Sequence, residues 1–254
     1  MKRLGSKISL AAGIVLTALV ARGDDLMGAP SWPTDEFHFT RMYYSDYAGG
    51  WRGGGGRSFR TDFPEAEEHF TMGVGRLTRL DIGKQARMLE VTDDAIFDYP
   101  WLYAVEVGRW QLDDTEAARL REYLLRGGFF MVDDFHGTQQ WAVFVESMQR
   151  VFPDRPIVEI PDNDEVKHVL YDLEAHIQIP GIYPWMGGVT YEQDGYDPHW
   201  RGIYDDDGRL MVAINFNMDL GDAWEHANDP RYPEPFTGLA TRFAVNYVIY
   251  AMTH

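Results

Sequence analysis

Apolar residues recur along this chain at two spacings. Between residues 36 and 160 they alternate or run together over short stretches, and the segments in between repeat with the period of a helix. EFHFTRMYY, 36–44, alternates well enough to predict a strand; MLEVT, 88–92, WLYAVEVG, 101–108, and PIVEI, 156–160, predict three more. FFMVDD, 129–134, is near-continuous in apolar residues, as a parallel strand covered on both faces should be. From Asp114 to Arg126, Ala117, Leu120, Leu124 and Leu125 share one helical face. Asp113 with Glu116 forms a capping box ahead of that helix, and Gly127-Gly128 ends it. Another helix, about 138–152, puts Trp141, Phe144, Val145 and Met148 on one side. Asp62 and Glu65 repeat the cap signature, with Pro64 tolerated in the first turn, so Asp62 reads as the N-cap of a further helix.

Strand, helix, strand, helix, strand in this order implies right-handed crossovers and an α/β fold with a mostly parallel sheet. Residues 177–199 break the rhythm with Pro, Gly and aromatics, and read as an insertion folded over the edge or mouth of the sheet. RGIYDDDGRLMVAINFN, 201–217, is a hairpin turning at Asp207-Gly208. A last helix, about Thr237 to Met252, has Leu239, Phe243, Tyr247 and Ala251 at steps of four and lies on the core.

The first 23 residues follow a different rule. Lys2, Arg3 and Lys7 precede the apolar run ISLAAGIVLTALVA, 8–21, and Ala21 and Gly23 supply the small residues of a cleavage site. The expectation is a signal peptide over 1–23, a linker over 24–35 and a single domain over 36–254, with an uncleaved anchor as the alternative. The run is short for a membrane span, and none is expected after cleavage. Export without a single cysteine points to a bacterial periplasm or exterior, and removes disulfides, thiolate metal sites and any cysteine nucleophile. The formal charge is −17, and loss of Lys2, Arg3, Lys7 and Arg22 makes it more negative by four. Nucleic acid is therefore not an expected partner. A cation, or a small neutral molecule such as a carbohydrate, suits this charge better.

Ligands of open parallel sheets sit beyond the carboxyl ends of the strands. GGFFMVDDFHG, 127–137, delivers Asp133, Asp134 and His136 to such an end. These groups either hold a divalent cation or act as acid and base, or else they cap the next helix and satisfy loop amides. Successive strand residues face opposite ways, so Asp134, sharing parity with His136, is the one expected to face the mouth with it. NFNMDLGDAWE, 215–225, follows another apolar strand and brings Asn217, Asp219, Asp222 and Glu225, with Trp224 as an aromatic wall. Its spacing is not that of an EF-hand. The glycine-rich loop 45–57 lacks the Lys-Ser/Thr ending of a phosphate loop; its Trp51 either closes over a ligand or packs back on the body. There is no Gly-x-Ser-x-Gly and no His-Glu-x-x-His.

The blocks F-x-F-x-R-M-x-Y, T-D-F-P, F-D-Y-P-W-L-Y, L-R-x-Y-L-x-R-G-G-F-x-x-x-D-D-F-H-G, N-x-D-L-G-D-A-W-E and N-Y-V-I-Y-A-M-T occur in this order over about residues 36–253. In combination they resemble a bacterial family, domain of unknown function 4159. The resemblance implies a flavodoxin-like fold related to class I glutamine amidotransferases and to the trehalose-utilisation (ThuA-like) proteins. It also implies a site location but no reaction; Arg41 and Tyr43, which fall in the first block, are candidate ligand contacts. Amidotransferase chemistry needs a cysteine thiolate, and this chain has none.

Three readings follow. The first is an exported ligand-binding module, for a carbohydrate or cell-envelope fragment, supported by Trp51, Trp185, Trp200 and Trp224 as exposed aromatics. The second is a hydrolase, with Asp134 and His136 as acid and base or as ligands of a divalent metal, and Asp219 or Asp222 completing the site. The third is an envelope scaffold. The hydrolase requires Asp134, His136 and Asp219 to converge and at least one carboxyl or imidazole to titrate abnormally.

Overall fold

The computed structural model of the chain describes residues 35–46, 58–173 and 176–254. The leader, the linker and Trp51 lie outside the described residues. Seven strands form one sheet: β1 Thr40–Tyr43, β2 Arg87–Glu90, β3 Trp101–Val105, β4 Phe129–Asp133, β5 Val158–Glu159, β6 His199–Tyr204 and β7 Leu210–Phe216. Their order is β2-β1-β3-β4-β7-β6-β5. The first five are mutually parallel, while β6 and β5 run antiparallel. With β7 in the fifth place, the parallel part has the doubly wound order 2-1-3-4-5 of a flavodoxin-like sheet.

The predicted run of parallel strands through PIVEI is corrected at β5. This strand is two residues long, both exposed, and pairs antiparallel with β6 at the sheet edge. The place beside β4 belongs to β7, whose seven residues LMVAINF are all buried. A strand apolar on both faces gains most from the middle of a covered sheet, whereas Glu159 keeps its carboxylate in water, paired with His199 and Arg201. The Asp207-Gly208 turn then makes β6 antiparallel to β7, with Gly208 at φ 84°.

The helices are α1 Glu65–Leu77, α2 Asp114–Leu125, α3 Gly137–Val151, α4 Ile182–Met186, α5 Leu220–Glu225 and α6 Glu234–Thr253. Alternation along the strands divides the apolar residues into two cores. Phe39, Trp101, Tyr103, Phe129 and Met131 pack with α1, α5 and α6. Leu102, Ala104, Phe130, Val132 and Ile214 pack with α2 and α3. Among the described residues no helix is long and apolar enough to cross a membrane.

Two aromatic expectations are overturned. Trp200 is 3% exposed and stacks on Phe243 at 3.8 Å, and Trp224 is 1% exposed and meets Phe70 at 4.9 Å. Both are core, because α6 and α1 cover the sheet face that a loop-level reading left open. Trp185 is more exposed, on α4.

The capping box at Asp113 is present in full: its carboxylate accepts from the Thr115 and Glu116 amides, and Glu116 accepts from the Asp113 amide. Asp113→Ala is expected to cost about 1 kcal/mol of unfolding free energy. A urea titration checks this, and an unchanged midpoint would contradict the cap's role.

Candidate functional site

Four acids stand beyond the carboxyl ends of the parallel strands. Asp62 follows β1, Glu106 follows β3, Asp134 follows β4 and Asp219 follows β7. The order reverses between β1 and β3, the kind of crevice where doubly wound sheets bind ligands.

Asp62 overturns its reading as a helix cap. Helix α1 begins at Glu65 with Pro64 at the N-cap position and no side-chain cap bond. Asp62 has φ 63°, in the left-handed region, and its carboxylate turns to the sheet mouth instead. One carboxylate oxygen each from Asp62, Asp134 and Asp219 lie within 4.8 Å of one another. His136 Nε2 stands 3.1 Å from Asp134 Oδ1, and both residues are buried. Asp134, not Asp133, stands with Asp62 and Asp219. The cause is a left-handed turn at φ 51° rather than continued strand parity.

The backbone around this group is held in conformations that side chains rarely adopt. Among the described residues the non-glycine positions at positive φ are Asp62, Glu106, Asp134, Gln193 and Asn217. Three are acids of the mouth, and the other two flank Glu192 and Asp219. Such residues persist only where surrounding packing over-determines them, and they gather at functional sites. Two glycines make room. A β-carbon at Gly181 would stand 2.8, 3.0 and 3.2 Å from carboxylate oxygens of Asp219, Asp222 and Glu192. One at Gly221 would stand 2.2 Å from Asp62 Oδ2.

Charge in the mouth is crowded. Burial first, and then the charge of Asp134, hold the carboxyls of Asp62, Asp219 and Glu106 well above the usual range. Burial pushes Asp222 up to about 6, opposed by the hydrogen bond from the Ile182 amide. Glu192 is raised by burial, opposed by His136. Asp62 Oδ2 and His136 Nδ1 are buried with no hydrogen-bond partner.

The other expected contacts take different parts. Asp133 is fully buried, and its Oδ2 accepts from the Leu220 and Gly221 amides at 2.8 and 2.9 Å, tying β4 to the start of α5. Arg41 is buried beneath the mouth rather than lining it. It pairs with Glu67 and donates to the carbonyls of Phe59 and Thr61, each at 3.0 Å, which fixes the chain just before Asp62. Tyr43 packs on Phe59 at 4.4 Å, and no hydrogen bond or ring contact among the described residues joins it to the cluster. Asn217 accepts from the Gly137 amide and donates to the Asp197 carbonyl, bracing the rim. Trp224 is core, not a wall. Glu225 gathers with Asp222 and His226 in a more exposed group.

Glu106 and Glu192 went unread in the sequence. Glu106 carried a usable signal, since it follows the apolar run WLYAV as Asp133 follows FFMV. Glu192 carried none. The arrangement offers only oxygen donors at its centre, which suits a hard divalent cation or shared protons.

The raised carboxyls carry a sign for stability. The folded chain holds protons on Asp62, Asp219 and Asp222 above the ordinary 3.8, where the unfolded chain has released them. Metal-free stability contributed by these groups is therefore present at low pH and lost as pH rises through about 4 toward and beyond 6. In chelator, the urea midpoint is expected to be lower at about pH 7.5 than at about pH 5, with a smaller gap in Asp219→Asn. A wild-type midpoint that climbs across this window, or an equal gap in the variant, would remove the crowding argument.

Comparison with known proteins adds a family but no reaction. No curated protein matches the chain. Residues 39–252 match the family described as Domain of unknown function (DUF4159), a stretch that begins just before β1, ends within α6 and includes every acid of the mouth. By that match the chain belongs to the DUF4159 family.

Proposed function

We propose that the mouth holds a hard divalent cation on Asp62, Asp134 and Asp219, and that the protein is an exported, metal-assisted hydrolase. The convergence of these three carboxylates, Asp134 and Asp219 buried and Asp62 half-buried, carries the reading. Calcium–oxygen distances of roughly 2.3–2.6 Å put opposite ligand oxygens about 4.6–5.2 Å apart, and magnesium needs less. Oxygens already gathered within 4.8 Å therefore fit around one such ion. The buried and unpartnered Asp62 Oδ2 lacks only a cation or a proton.

A bound divalent ion would polarise a substrate oxygen and lower the pKa of a coordinated water, leaving a nearby base to take its proton. The chain's own groups do the rest. His136 orients Asp134 through the 3.1 Å contact. Glu106 and Glu192, both raised by burial, are suited to keep a proton for a leaving group. His136 thus supports a ligand rather than serving as one, which revises the expected pair of metal ligands. Convergence together with raised carboxyls favours a hydrolase over a passive binding module or scaffold, since neither of those needs crowded like charges. Export rests on the basic start and the apolar run of residues 8–21.

Calorimetric titration of the full-length chain with Mn²⁺, Mg²⁺ and Ca²⁺ tests the reading. Wild type is expected to bind at least one at micromolar strength or better. Asp62→Asn and Asp134→Asn, checked for folding by circular dichroism, should each weaken binding at least about tenfold, about 1.4 kcal/mol. Absence of binding in wild type, or undiminished binding in both variants, would sink it.

A further inference from the structure

A second concavity opens beside the mouth, with a volume of about 230 Å³. Its walls are rings: Trp141 of α3, Tyr196 of the insertion, His199 of β6 and Phe216 of β7. Trp141 and Phe216 meet at 4.7 Å, and His199 stacks against Phe216 at 5.9 Å. Tyr196 is 61% exposed and meets the Tyr191 ring at 4.7 Å. Nothing in the acid cluster accounts for this set of rings, which line a concavity of their own.

Charge decides what fits. The lining carboxylates of Asp194 and Asp197 repel an anion. An organic cation would seek the ring faces, but the Arg201 guanidinium already stands 4.5 Å from the Trp141 centroid and 5.6 Å from that of Phe216. The remaining ligand is neutral, with one apolar face for the rings and hydroxyls for the rim. Asp194 is engaged by the Thr138 amide and hydroxyl, at 2.8 and 2.6 Å. The Asp197 carboxylate accepts no hydrogen bond among the described residues and is open to a ligand hydroxyl. We propose that this concavity is a subsite for one neutral sugar ring, and that the hydrolase acts on a neutral saccharide.

The subsite joins the mouth through the chain itself. Gly137 lines it and directly follows His136. Asn217 lines it and holds the Gly137 amide at 2.9 Å. Asp194 lies two residues beyond Glu192, which faces the acids. A ring seated here lies against residues that adjoin members of the acid cluster in the chain. The saccharide as substrate rests on the metal-hydrolase reading, whereas the binding of the ring does not.

The test is a titration of the full-length chain in chelator, followed by tryptophan fluorescence and saturation-transfer NMR. Probes are glucose, N-acetylglucosamine and maltotriose, with glucuronate as the anion and choline as the cation. At least one neutral sugar is expected to bind. Tyr196→Ala and Asp197→Asn, both at exposed positions, should weaken that binding at least about tenfold. No sugar binding, a preference for choline or glucuronate, or binding indifferent to both substitutions would overturn the proposal. Sugar binding in chelator without metal binding would remove the hydrolase reading alone, and metal binding without sugar binding would remove the subsite alone.

Discussion

The guanidinium of Arg41 has no exposed surface, and the mouth above it depends on how that charge is satisfied. A buried cation is costly unless it is paired and hydrogen-bonded. Here it reaches Glu67 on α1, two carbonyls just before Asp62, and the face of Tyr103 at 5.0 Å. One side chain on β1 thereby docks α1 and fixes the segment that turns Asp62 inward. Expected from the sequence to contact a ligand, Arg41 instead holds the segment that carries Asp62.

Above Arg41 the balance of charge inverts. Asp62, Asp134, Asp219, Asp222, Glu106 and Glu192 face one crevice, and the basic groups beside them beyond Arg41 are His136 at Asp134, His226 at Asp222 and the half-exposed Arg109 at Glu106. Like charges this close cannot all stay ionised in a dry site. They take up protons or a cation, and the response of the apo chain to pH and the affinity for metal report the same crowding. The left-handed residues and the two glycines show that the crowding is built in: backbone that ordinarily relaxes is kept strained around these carboxylates.

The two concavities divide the chemistry. The acid mouth is polar, buried and starved of cations. The other is lined by aromatic rings with Asp194 and Asp197 at its rim, and Arg201 already serves its rings. The residue that meets Asp134 and the first residue of the aromatic concavity are neighbours in the chain, His136 and Gly137.

Much of this was legible beforehand. The apolar runs and helical stripes located the parallel strands, the capping box of α2, the hairpin and the last helix, because burial of apolar surface imposes those periods locally. That Asp134, His136 and Asp219 follow apolar strands was also legible, and the structure brings them together. Three things lay beyond the sequence. Which strand lies beside β4 was decided by competition for the covered centre, which β7 won over PIVEI. Asp62 looked like a cap because its spacing to Glu65 is that of a cap; the left-handed turn that redirects it depends on Arg41, distant from it in the sequence. Glu192 and Tyr196 reach their sites only through the path of the 177–199 insertion, which no periodicity encodes. Local pattern determined the elements and their ends, and tertiary packing, by bringing distant charges and rings into shared burial, decided which of those ends form a site.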